Sequence, residues 1–100
     1  MEFEIKEESG VFNVTGTICA SNLTSLKNHF ESVIYKADKV ILNIEKVRKI
    51  DSSGALMLEK LYKKTALSNK VLSIIGKQNP SIVSMMKSTK THYILSNDRI

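Results

Sequence analysis

The chain has 100 residues, 42% hydrophobic and 25% charged, which excludes a disordered or fibrous polypeptide and supplies one hydrophobic core rather than two. Fifteen basic residues against ten acidic ones give a net charge of +5. The longest uncharged stretch, Ser9 to Leu26, is interrupted by Asn13, Gly16 and Asn22, so it excludes a transmembrane span of ~20 apolar positions.

The opening Met1-Glu2-Phe3-Glu4-Ile5-Lys6-Glu7-Glu8 is acidic where a secretory leader would be basic, so no leader is expected. A single cysteine, Cys19, cannot pair internally and fits a reducing, cytoplasmic setting. One domain spanning residues 1–100 is expected, without repeats or linkers.

Taken in order, Phe3 and Ile5 alternate with Glu2 and Glu4 as in a half-exposed strand. Ser9-Gly10 marks a turn, and Phe12, Val14, Gly16 and Ile18 alternate again, which predicts a hairpin. The period then lengthens: Leu23, Leu26, Phe30, Val33 and Ile34 predict a helix that Ser21 or Asn22 can cap. Val40-Ile41-Leu42-Asn43-Ile44 reads as a strand buried on both faces. A second helix follows Asp51, carrying Ala55, Leu58, Leu61, Tyr62 and Thr65 on one stripe and ending near Asn69. Val71-Leu72-Ser73-Ile74-Ile75 predicts another buried strand. Asn79-Pro80 predicts the start of a third helix, with Ile82, Val83 and Met86 inward. Tyr93-Ile94-Leu95 reads as a last short strand. The order β-β-α-β-α-β-α-β predicts an α/β domain with a mostly parallel sheet of four to five strands, an N-terminal hairpin and about three helices.

Most catalytic arrangements are missing from the sequence. His29 and His92 have no metal-ligand spacing, one cysteine makes no zinc cluster, and the isolated glycines form no phosphate loop. No cofactor or metal is expected. Asn13-Val14-Thr15 and Asn22-Leu23-Thr24 match the glycosylation triplet by chance, in the absence of a leader. Ile50-Asp51-Ser52-Ser53-Gly54 lacks the Gly-x-Ser-x-Gly elbow of a serine hydrolase, and no enzyme activity is expected. The basic excess is almost all lysine; only Arg48 and Arg99 could read guanine edges bidentately. The lysines are dispersed, with Lys63-Lys64 the only adjacent pair. They read as a solvated surface or as a surface for an acidic partner, with no specific nucleic acid expected.

Asp51-Ser52-Ser53-Gly54 follows a buried strand and opens a helix. It is at least a good N-cap, since all three polar side chains can accept from free N–H groups. It is also a place where a helix N-terminus favours an anion, so a serine phosphorylated there would be tolerated by the fold while the surface changed sign.

The block from Val40 to Leu56 resembles the signature of the STAS domain, the fold of bacterial anti-sigma factor antagonists. The resemblance lies in the apolar strand ending at Asn43-Ile44, the hydrophobic position at Val47 and Asp51-Ser52-Ser53-Gly54 opening a helix. Gly16-Thr17-Ile18 is similar to the family's Gly-x-Leu-Asp segment, and the element order extends the likeness over residues 3–95. The resemblance implies a non-catalytic switch in the regulation of transcription. Its unmodified form binds an anti-sigma factor that is also a serine kinase, phosphorylation at Ser52 releases it, and a serine phosphatase resets it. Asp51 would hold the loop, Ser53 would cap the helix, and Gly54 would let the partner approach. The alternative is a STAS subunit of a transporter or stress-sensing complex that works without phosphorylation. The sequence departs from the pattern where Cys19 replaces the acid near the phosphorylation site and Leu56 replaces a glycine. It departs again where Ser88-Thr89-Lys90 replaces Ser-Gly-Leu, and the family's last helix is expected to be short or missing.

Overall fold

The computed structural model describes residues 3–96. Strands β1 (Phe3–Glu8) and β2 (Val11–Ile18) are followed by a 3-10 turn at Ala20–Asn22 and helix α1 (Leu23–Lys36). Strands β3 (Lys39–Asn43) and β4 (Val47–Ile50), helix α2 (Ser52–Leu67), strand β5 (Val71–Ile75) and helix α3 (Pro80–Ser88) come next. A second 3-10 turn covers His92–Ile94.

The hairpin forms as its turn chemistry requires. Glu8 pairs with Val11, leaving Ser9 and Gly10 as a two-residue loop with φ of 53° and 83°, the left-handed pair that suits a tight hairpin. Strand β2 is the centre of the sheet. It pairs antiparallel with β1 on one edge and parallel with two strands on the other: β3 beside Val11–Asn13, then β4 beside Gly16–Ile18. β3 and β4 thus act as one strand interrupted by a turn, closed where the Val47 N–H donates to the Ile44 carbonyl (3.1 Å). Strand β5 adds in parallel to β3, giving the order β1-β2-β3-β5 with β4 beside β2.

One face of this sheet holds the core. Val40 and Leu42 on β3 pair with Leu72 and Ile74 on β5, and all four join one buried cluster with Leu26 and Phe30 of α1, Leu58 and Leu61 of α2, and Ile82 and Met86 of α3. Burying each such side chain contributes roughly 1.5–3 kcal/mol, so this cluster dominates the fold's stability. The Phe12 ring meets Phe30 edge-on at 6.1 Å, locking α1 to β2.

Several expectations are corrected. The strand at β3 is not covered on both faces: Ile41 and Ile75 point away from the helices, lie outside the core cluster and are half-buried. Strand β4 was not expected at all. Tyr93-Ile94-Leu95 is no strand; the chain turns at Lys90 (φ 61°), coils at His92–Ile94, and pairs with the sheet at the isolated Ile74–Leu95 bridge. Asn69 (φ 61°) does end α2, and Asn79 does cap α3, its Oδ1 accepting from the N–H groups of Ser81 and Ile82.

Candidate functional site

Pairing of Ile18 with Ile50 brings the carboxyl ends of β2 and β4 together, so the segments leading into α1 and α2 meet. The Asp51 N–H donates to the Ile18 carbonyl (3.1 Å), which sets Asp51 at the N-cap of α2 in an extended conformation. Its carboxylate then joins both segments. Oδ1 accepts from the Gly54 N–H at 2.8 Å, and Oδ2 accepts from the Ala20 N–H at 3.0 Å. Charge-assisted bonds of this kind are about twice as strong as neutral ones.

The cap of α2 is therefore Asp51, not Ser53 as expected, because only Asp51 precedes the first helical turn in extended backbone. Ser52 is the first helical residue and is exposed. No hydrogen bond engages its hydroxyl among the described residues. Ser53 is half-buried.

Gly54 is buried and faces inward. A Cβ there would lie 2.8 Å from Ile18 Cγ2 and 2.9 Å from Ile50 Cγ1, so its hydrogen side chain is what lets α2 pack on the sheet. Neither Ser21 nor Asn22 caps α1 through its side chain. Asn22 instead folds back, its Oδ1 accepting from the Cys19 N–H (3.1 Å) and its Nδ2 donating to the Thr17 carbonyl (2.8 Å). This clasp was not foreseen, because its partners are set by where the strand ends.

Cys19 sits in that clasped segment, half-exposed, with Sγ 3.0 Å from the Ser21 hydroxyl. The Ser21 hydroxyl and N–H hold the thiol below its ordinary range, against partial burial and the nearby Asp51 charge. Among the described residues no group of three or more His, Cys, Asp or Glu side chains could hold a metal ion. His29 is exposed and meets the Phe30 ring edge-on at 5.4 Å. No helix among the described residues is long and apolar enough to cross a membrane.

The family profile described as STAS domain matches residues 1–95. The chain belongs to the STAS domain family. The structure of the anti-sigma factor antagonist SpoIIAA in its unphosphorylated form is similar over 98% of this STAS chain and 89% of its own length, with a TM-score of 0.73 at 11% identity. An anti-sigma factor antagonist from Mycobacterium paratuberculosis is similar over 90% of this chain and 80% of its own, with a TM-score of 0.61 at 17% identity. The Mglu structure is similar over 71% of this chain but only 18% of its own length, with a TM-score of 0.57 at 14% identity. At these identities the likeness is one of fold: a mostly parallel STAS sheet with an N-terminal hairpin and three helices. Among curated proteins none matches the chain.

Proposed function

We propose that residues 1–100 form a single STAS domain that acts as an anti-sigma factor antagonist, a non-catalytic switch working in the bacterial cytoplasm. Its unmodified form binds an anti-sigma factor with serine kinase activity; phosphorylation at Ser52 releases it, and a serine phosphatase restores it. The observation that carries this reading is the exposed Ser52 at the first position of α2, with the cap already filled by Asp51. The Asp51 carboxylate takes the Gly54 N–H, leaving those of Ser52 and Ser53 for a phosphate, whose charge of about −2 the helix N-terminus favours. Modification would then leave the fold intact and act on the partner. Similarity to two anti-sigma factor antagonists supports the same reading.

A second reading, a STAS subunit of a transporter or stress-sensing complex, draws on Cys19. It replaces the family's acid on the very segment that Asp51 holds through the Ala20 N–H. Incubating the protein with the cognate anti-sigma kinase and ATP, then mapping the modified residue, separates the two. Phosphate on Ser52 is expected. Phosphate on Ser53 alone contradicts Ser52 as the switch residue, and no phosphate at all favours the second reading.

A further inference from the structure

Helices α1 and α2 lie side by side and run the same way, with Leu23 near Ser53 at one end and Tyr35 near Ser68 at the other. Between them is an open groove of about 540 Å³, floored by Leu23, Leu56, Met57 and Leu61. It continues past Leu61 and Lys64 into a further 300 Å³ that reaches the end of α1. Leu56 is 45% exposed at this groove, beside the buried Met57 and Leu61.

The rim is basic. Lys27 stands on α1 and Lys60 and Lys64 on α2. Among the described residues the only acid lining the groove is Glu31, and Lys64 already pairs with it at 3.1 Å. Lys27 and Lys60 are exposed and make no ion pair among the described residues. Both helix N-termini add partial positive charge at the Leu23 end.

The geometry points to this groove as a docking site for an acidic amphipathic helix of a partner protein. An apolar floor along the 14 residues of α1, ~21 Å in length, suits apolar anchors at helical spacing, and unpaired lysines on both walls suit flanking carboxylates. A nucleic acid would need a stacking platform, and among the described residues the groove and its continuation offer a single aromatic ring, Tyr35, at the far end beside Lys70. Ser52 does not line this groove, although its neighbour Ser53 does.

The test uses a fluorescent synthetic peptide of the length of α1, with Leu at i, i+4 and i+7 and Glu elsewhere. Anisotropy is read against the wild-type protein, with amide shifts assigned by NMR. Controls are the same peptide with Lys in place of Glu, the same with Ser in place of Leu, and a single-stranded oligonucleotide. The acidic leucine peptide is expected to bind at least about tenfold tighter than every control and to shift Leu23, Leu56 and Leu61. Lys27→Glu with Lys60→Glu, both surface positions, should weaken it by about tenfold or more, as should Leu56→Ser. The inference fails if the lysine peptide or the oligonucleotide binds as well, if the shifts map elsewhere, or if the acidic peptide does not bind. The comparison among probes on the wild-type protein decides the matter even where a variant loses stability.

Discussion

Asp51 and Ser52 are adjacent, yet the fold depends on one and leaves the other free. The Asp51 carboxylate satisfies one N–H in each of two segments, so Asp51→Ala removes a helix cap and leaves the Ala20 N–H without its acceptor. A loss of about 1–2 kcal/mol in urea unfolding is expected. Ser52→Ala, which removes a hydroxyl with no partner among the described residues, should stay within about 0.5 kcal/mol of wild type. The opposite ranking would move the cap to Ser52 and remove the basis for its free hydroxyl. Cys19 gives a pH-dependent readout of the same segment. Its thiol is held below the ordinary range chiefly by the Ser21 hydroxyl, and the thiolate is the reactive form. Iodoacetamide labelling should therefore reach half its maximal rate at a lower pH than for a free cysteine peptide. Ser21→Ala should move the midpoint back up; an unchanged midpoint would contradict the assigned hydrogen bond.

At the scale of elements, those with a local cause were legible in the sequence. Ser9-Gly10 forces the hairpin, Asn79-Pro80 starts α3, and the three- and four-residue spacing from Leu23 to Ile34 fixes α1. Strand β4 was not legible because Val47-Arg48-Lys49-Ile50 has no alternation of its own; pairing with Gly16–Ile18 on β2 makes it a strand. The cap was ambiguous for a similar reason: Asp51, Ser52 and Ser53 all have capping side chains, and the bond from Asp51 N–H to Ile18 decides among them. Asp51 to Gly54 was marked as the site from sequence, whereas the role of Gly54 depends on Ile18 and Ile50, which adjoin it only in the folded sheet. A Gly→Ala change in an exposed helix interior gains about 1 kcal/mol. Here Ile18 is fully buried and its carbonyl lies 3.2 Å from where the Cβ would be, so overpacking outweighs that gain. Gly54→Ala should cost about 1–3 kcal/mol, seen as a lower urea midpoint at unchanged slope. A stabilised variant would show that α2 is free to lift from the sheet.

At the scale of the whole molecule, the +5 charge is spread over most elements, with Lys27, Lys60 and Lys64 gathered at the α1–α2 groove. Lys6, Lys39, Lys49, Lys60 and Lys87 lie on five different elements. Binding to any oligonucleotide should be weak, with Kd around 10⁻⁴–10⁻⁶ M, and should vanish as salt is raised; a tighter, salt-resistant complex with one sequence would contradict this. In the proposed switch, charge acts at Ser52, where α2 would tolerate an anion that changes what a partner meets. The most direct measurement is the affinity of the cognate anti-sigma factor for wild-type protein, Ser52→Ala and protein phosphorylated at Ser52, each with its unfolding curve. Wild type and Ser52→Ala should bind alike, and the phosphorylated form should unfold as wild type does. That form should bind at least about tenfold more weakly, since an unmatched charge at an interface costs several kcal/mol. Equal affinity for the phosphorylated and unmodified proteins would contradict the proposed switch.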